Sequence, residues 1–194
     1  MTDPTPETTA SDEAIQGVID GRSGAWEELV HLWSRRVYAA AQSRLRDADA
    51  AEEVTQAVMV TVYEQISRGR YSHTGQFESW LFRIVMNRVR DVIRVSQRRR
   101  TQQLHTSSAP AHSSNHDLAE GDDGEIRAVR LAVAELPEAD QEILSLRHHA
   151  QLGFASIAEM LEQPLGTVLA RHHRALAKLR ARLEQQLETE EVSR

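Results

Sequence analysis

Residues 154–180 read FASIAEMLEQPLGTVLARHHRALAKLR, and this stretch decides the fold. A short apolar helix ending near Leu161 precedes the turn Glu162-Gln163-Pro164, and a basic helix begins at Leu165. A short helix with a small residue (Ala158) facing its partner, a tight turn and a basic second helix are typical of the helix-turn-helix motif. The alternative is a plain helical hairpin whose basic face is solvated.

The second helix of this motif carries the residues that we expect to meet DNA. Thr167 and Arg171 lie one turn apart near its N-terminal end, where base edges come within reach, and His172 follows them. Arg174 and Lys178 lie further along, where phosphates are the expected partners. The pattern predicts a base-reading group followed by a group that binds the DNA backbone.

The composition of the 194-residue chain favours helices and excludes several classes of protein. Only 9 Gly and 5 Pro occur and no segment shows convincing strand alternation, so an all-α fold is predicted. The absence of Cys excludes disulfides, cysteine-ligated zinc and thiol catalysis. There is no apolar run of about 18 residues and no basic-then-apolar leader, so we expect a cytoplasmic protein without membrane insertion.

Patterning predicts two small helical domains joined by a flexible linker. Apolar residues at spacings of three and four predict four helices in the first domain, with Ser11 as the N-cap of the first one. The predicted linker is rich in Ser, His, Ala and acids and has almost no large apolar residue. The expected divisions are a flexible leader over 1–10, a first domain over 11–100, a linker over 101–124, a helix-turn-helix domain over 125–187 and a tail over 188–194.

The formal net charge of −6 conceals two basic stretches. Between Arg68 and Arg100 there are nine Arg and only two acids, Glu78 and Asp91. Between Leu165 and Leu183 there are four Arg and one Lys without any acid. Two segregated basic stretches in an acidic chain predict two places where a polyanion binds.

Nothing in the sequence predicts a catalytic or metal site. The adjacent residues of His148-His149 and of His172-His173 point about 100° apart on a helix and would chelate one ion poorly. No nucleophile is paired with a base at usable spacing, and there is no Gly-rich phosphate loop. We therefore expect no metal, no cofactor and no enzymatic activity.

Four groups of residues resemble bacterial RNA polymerase sigma factors. The first two resemble the N-terminal domain of the extracytoplasmic-function (ECF) group, and the last two resemble the C-terminal promoter-reading domain. In chain order they are Asp49-Ala-x-Glu-Glu-Val-Thr-Gln56, Phe77-x-x-Trp-Leu-Phe-Arg-Ile84 with Asn87-Arg88 and Asp91, Leu136-Pro-Glu138 with Ile143-Leu-x-Leu-Arg147, and Ile157-Ala-Glu-x-Leu161 with Gly166-Thr-Val168 and Arg171.

The resemblance implies a dissociable subunit that directs core RNA polymerase to promoter DNA, with an anti-sigma protein as a further partner. Glu52, Glu53 and Gln56 would bind core polymerase. The −35 element would meet the helix that begins at Leu165. The −10 element would meet a loop pocket for a flipped base and a basic helix behind it, through Tyr71, Ser72, His73, Thr74, Asn87, Arg88, Arg90, Arg94 and Arg98.

Four residues depart from the pattern of that family. Ala57 stands where an acid usually follows the Gln, and Leu169 and Ala170 stand where a basic residue and Ser are usual. Glu162 occupies a turn position where Gly is usual, which would cost about 1 kcal/mol if the position needs a positive φ. Ala57 removes one expected polar contact with core polymerase, and the three departures in the second domain predict weak DNA binding by that domain and an unusual preferred sequence.

The same residues are also compatible with an alternative hypothesis, that the protein is a self-sufficient helix-turn-helix regulator. Such a protein would normally dimerise on a palindromic site and would not need RNA polymerase as a binding partner. Binding to core polymerase separates the two.

Overall fold

The protein is described by a computed structural model, which covers the backbone of residues 6–72, 76–106 and 124–192. Helices are the only regular secondary structure in these ranges, which confirms the all-α prediction. They are α1 (Pro6–Ile19), α2 (Ala25–Leu45), α3 (Ala48–Ser67), α4 (Phe77–Thr106), α5 (Gly124–Ala134), α6 (Glu138–Leu144) with a π-helical turn after it (Ser145–His149), α7 (Phe154–Met160) and α8 (Leu165–Val192).

Packing divides the chain into two compact units, Met1–Arg94 and Val95–Arg194. The division falls inside α4, somewhat before the predicted domain boundary at Arg100. Most of the predicted linker, residues 107–123, lies outside the described residues.

In the first unit α2 packs against both α1 and α3. The apolar residues predicted at helical spacing are buried there, among them Leu29, Val37, Val54 and Val58. Asp47 ends the preceding connection in an extended conformation, and its side chain accepts a hydrogen bond from the Ala50 backbone N–H at 3.0 Å. An N-cap of this kind satisfies one of the donors left free at a helix start, which is why α3 begins where the sequence predicts.

An ion pair ties α2 to α4 in the same unit. The Arg36 guanidinium donates to the Glu78 carboxylate, and both side chains are partly buried. The Arg36 guanidinium carbon also lies 4.6 Å from the centroid of the Trp33 ring, close enough for a cation–π contact. These contacts fix the start of α4, the helix that carries the first basic stretch.

Three helix ends differ from those expected. α1 begins at Pro6, inside the predicted flexible leader, because proline is well suited to the first turn of a helix. α4 continues to Thr106 and α8 to Val192, since neither extension contains a Gly or Pro to stop the helix. The N-cap prediction for Ser11 is also wrong, because that residue lies well inside α1.

In the second unit α5, α6 and α7 all pack against α8. Leu136, Leu144 and Ala175 form a buried cluster against which Leu179 packs. Val168 of α8 is completely buried, as is Ile157 of α7. The unit therefore holds α8 by one apolar side and leaves its other sides to solvent.

Candidate nucleic-acid interface

The residues expected to bind core polymerase lie together on an exposed side of α3. Glu52, Glu53 and Gln56 are all exposed, and the Gln56 side-chain amide donates to the Glu52 carboxylate at 3.2 Å. Two apolar residues that the sequence reading missed, Val60 and Tyr63, are exposed one and two turns further along the same side. Their spacing from Gln56 could have revealed them. The α3 face thus combines an acidic end with an apolar end.

The second feature is a line of polar residues on α4, which we call the α4 line: Arg83, Asn87, Arg90 and Arg94. Spacings of three and four place them on one side of the helix, and all four are exposed. Arg90 donates to the Asn87 amide oxygen at 2.9 Å. Arg83 was absent from the sequence prediction, although it stands one turn before Asn87.

Other α4 residues are placed differently from the α4 line. Arg88 is exposed but lies about 100° around the helix from Asn87. Arg98 is exposed in the part of α4 that belongs to the second unit. Asp91 accepts a hydrogen bond from Arg94 at 2.7 Å, so its carboxylate is paired with a neighbouring arginine of the same helix.

The loop before α4 is anchored by aromatic rings. Tyr71 is only 8% exposed, with its ring centroid 4.5 Å from that of Trp80 and 5.7 Å from that of Phe77. Burial raises the pKa of its phenol to about 12, so the ring stays neutral. The Tyr71 ring, packed against Trp80, therefore anchors the loop to the start of α4. Ser72 is exposed, while His73 and Thr74 lie outside the described residues.

On α8 the predicted DNA-contacting residues fall into different environments. Thr167 and Arg174 are exposed, whereas Arg171 and His172 are half-buried. Lys178 is in an ion pair inside its own unit, with its Nζ 2.6 Å from Asp140 Oδ2. The structure thus brings Thr167 and Arg174 to the surface and gives Lys178 an internal partner.

His172 also has a partner inside the unit. Its Nε2 lies 3.1 Å from Nε2 of His148, at the π-helical turn, and its ring meets the edge of Phe154. Burial lowers the pKa of both histidines, and the nearby Arg147 lowers them further. The neutral pair joins α8 to the segment before α7.

The turn between α7 and α8 has the positive φ at Glu162 that was considered from the sequence. Glu162 has a φ of +53°, in the left-handed region. The Glu162 N–H donates to the Glu159 carbonyl at 3.1 Å and the Gln163 N–H to the Ala158 carbonyl at 2.9 Å. These two bonds form a Schellman motif, in which Gly is the usual residue at the position of Glu162.

Two further properties concern the described residues as a whole. No three or more His, Asp or Glu side chains among them are grouped so that they could hold a metal ion. None of the helices in the described ranges has the length and apolar character needed to cross a membrane.

Comparison with known families and proteins gives consistent matches. Residues 29–100 match the model of sigma-70 region 2, and residues 132–181 match that of sigma-70 region 4. The ECF RNA polymerase sigma factor SigE of Mycolicibacterium smegmatis is 30% identical over 80% of this chain, which spans 60% of that relative's length. The RNA polymerase sigma-H factor of Pseudomonas aeruginosa is 26% identical over 84% of this chain and 88% of its own.

Among solved structures, the fold is similar to that of CnrH in complex with the cytosolic domain of CnrY. The TM-score is 0.69 at 23% identity, over 91% of this chain and 98% of CnrH. The sigma factor RpoE of Bartonella quintana, in complex with the anti-sigma factor NepR, gives a TM-score of 0.58 at 18% identity, over 83% of this chain and 98% of that one. With both sigma-70 regions matched in order over more than half of its residues, and with relatives named as ECF factors, the chain belongs to the ECF group of RNA polymerase sigma factors.

Proposed function

We propose that this chain is an alternative sigma factor that binds core RNA polymerase and directs it to promoters by reading their −10 and −35 elements. The observation that carries the proposal is the presence of an exposed basic helical segment in each unit, the part of α4 up to Arg94 in the first and α8 in the second. Two separate basic helices suit two separate DNA elements, because cationic side chains attract the phosphate backbone wherever it passes.

The α3 face is the proposed contact with core polymerase. Glu52, Glu53 and Gln56 offer charge and hydrogen bonds, while Val60 and Tyr63 offer apolar area that a partner can bury. Ala57 is half-buried beside them. Because its side chain is a methyl group, it cannot make the polar contact that the acid usual at that position in the family would make.

The α4 line and the preceding loop are the proposed contact with the −10 element. The α4 line presents three arginines at a spacing that can follow a DNA strand. The buried Tyr71 and the half-buried Trp80 hold the loop in place, and the exposed Ser72 with His73 and Thr74 remains the proposed lining of a pocket for a flipped base. Arg88 and Arg98 are proposed to bind phosphates outside that line.

The N-terminal end of α8 is the proposed contact with the −35 element. Thr167 and Arg171 remain the proposed base-reading residues, with Arg174 on phosphate. His172 and Lys178 are proposed to act on DNA indirectly, by holding α8, because both have partners within the unit.

The proposal has three corollaries. The chain acts without catalysis of its own, and it works in the cytoplasm, where it meets RNA polymerase. An anti-sigma protein is a further proposed partner, supported by the similarity in fold to a sigma factor that was solved with the anti-sigma factor NepR.

Core binding tests the proposal against the alternative of a self-sufficient regulator. The full chain should form a complex with core polymerase and start transcription at specific promoters. The double variant Glu53→Arg/Gln56→Arg should lose that complex while keeping its helical circular dichroism. The matched control is Glu13→Arg/Gln16→Arg, which makes the same changes at the same spacing on the exposed side of α1.

Normal core affinity in the Glu53→Arg/Gln56→Arg variant would place the interface elsewhere. A wild-type chain that binds a palindromic DNA site as a dimer and ignores core polymerase would favour the regulator instead.

A further inference from the structure

Leu169 is a large apolar side chain left exposed near the N-terminal end of α8. It is 43% exposed, whereas the adjacent Val168 is completely buried. In a helix-turn-helix the N-terminal part of the second helix is the part that contacts base edges. Leu169 therefore lies where a partner of this helix would contact an apolar side chain.

The surroundings of Leu169 allow α8 to approach a partner closely. Gly166 and Ala170 lie on the side of α8 turned furthest from Val168, since each residue advances about 100° around the helix. A Cβ atom built on Gly166 would meet nothing within 4 Å. Leu169 lies about 160° around α8 from Thr167 and from Arg171, with the small residues between the two flanks. Because those outermost residues are small, side chains on both flanks can reach the bases of a groove that encloses the helix.

The chemistry of the major groove then limits what Leu169 can contact. A leucine neither donates nor accepts a hydrogen bond, and the only apolar group that a base pair displays in the groove is the C5 methyl of thymine. We propose that Leu169 selects thymine in the −35 element by packing against that methyl group. This rests on the proposed function, and it assigns a base-reading role to a residue that stands where the family usually has a basic one.

The charge of α8 favours DNA over a protein as the partner. From Leu165 to Leu183 the helix carries four arginines and Lys178 and has no acid. Lys178 and Arg182 are paired with Asp140 and Glu135 of the same unit, and Arg171, Arg174 and Arg180 supply the remaining cations. Leu165 and Leu176 are also exposed on the side of Leu169, which would suit a protein surface. A strongly cationic helix is nevertheless matched by a polyanion, and an apolar contact inside such a site adds base preference to phosphate attraction.

The test removes the methyl group without changing base pairing. A promoter is first selected from a randomised −35 library with wild-type holoenzyme, and each −35 thymine on either strand is then replaced singly by deoxyuridine. At one position transcription by wild-type holoenzyme should fall about fourfold, the effect of losing roughly one buried CH₂ group. Leu169→Ala should respond equally to thymine and deoxyuridine there.

Leu176→Ala is the matched control. It removes the same side chain from the same side of α8, but about 10 Å further along the helix. This variant should keep the wild-type response to deoxyuridine at the sensitive position.

Three results would overturn the proposal. Wild-type holoenzyme that ignores every thymine-to-deoxyuridine change, or a Leu169→Ala variant that keeps the full response, would remove the methyl contact while leaving the sigma function intact. A Leu169→Ala variant that loses core binding would assign the leucine to a protein contact. Failure of the wild-type chain to support any promoter-specific transcription would instead overturn the proposed function itself, and this inference with it.

Discussion

Lys178 and Asp140 form an ion pair that fastens α8 to α6. The Lys178 Nζ lies 2.6 Å from Asp140 Oδ2, and the side chain of Asp140 is only 9% exposed while that of Lys178 is half exposed. A carboxylate this deeply buried needs a partner, because an unpaired charge away from water is costly. Lys178, which was predicted from the sequence to bind a phosphate, therefore stabilises the packing of α8 against α6.

Replacing Lys178 by Ala should destabilise the protein by about 1–3 kcal/mol, since the Asp140 carboxylate would remain buried without its partner. Urea-induced unfolding of the full chain measures the effect. The double variant Lys178→Ala/Asp140→Asn should recover part of the loss, because a neutral amide is cheaper to bury than a charge. Unchanged stability together with uniformly weaker transcription would return Lys178 to the phosphate-binding group.

Glu162→Gly should stabilise the second unit. The residue has a φ of +53° at the end of α7, a conformation that costs an L-residue about 1 kcal/mol relative to glycine. We expect a rise of roughly 0.5–1 kcal/mol in the free energy of unfolding, measured with urea. Glu162→Ala is the control and should give little change, since alanine meets the same strain. A lower stability for the glycine variant would mean that the Glu162 side chain makes the larger contribution.

The His148–His172 pair should make the second unit less stable in acid. The two Nε2 atoms lie 3.1 Å apart, so one ring donates and the other accepts, and adding a proton to each ring would break the bond. Burial is the main reason that the pKa of each ring is lowered on folding. The unfolded chain binds protons more readily, so stability is present above the ordinary histidine pKa and falls as the pH drops below about 6.5.

Thermal unfolding measured from about pH 7.5 down to about pH 5 checks this expectation. Replacing His148 by Leu should flatten the fall in stability. His31→Leu, a change at an exposed residue of α2 in the other unit, should leave the slope as in the wild type. An unchanged slope in the His148 variant would assign the acid sensitivity to other groups.

Helical periodicity predicted much of the fold because the relevant signals are local. The start of α3 depends on Asp47 and the backbone three residues later, and the turn before α8 depends on residues 158–167, all of them near in sequence. The order of helices and the buried stripe of α2 were likewise predictable from spacings of three and four.

The state of single polar side chains was not predictable, because it depends on residues distant in sequence. Lys178 and Asp140 are 38 residues apart, and nothing in either segment alone indicates their pairing. Tyr71 was placed in a loop by its polar neighbours, yet its ring is buried against Phe77 and Trp80 across the start of α4. A candidate site read from sequence thus mixes residues that face a partner with residues that hold the helices in place.

Ser11 gives the most direct test of that difference. Its hydroxyl is buried inside α1 and accepts a hydrogen bond from the Trp33 indole N–H of α2 at 2.9 Å. Ser11→Ala should therefore cost about 1–3 kcal/mol in unfolding free energy, since the indole N–H would remain buried without an acceptor. Ser11→Gly should cost about 1 kcal/mol more than Ser11→Ala, because glycine is the poorer residue inside a helix. At an N-cap the order would be reversed, since glycine is well tolerated there and alanine is not. Urea unfolding of the two variants, followed by circular dichroism and by Trp fluorescence, distinguishes the two positions. A glycine variant more stable than the alanine variant would restore Ser11 as the cap of a shorter first helix.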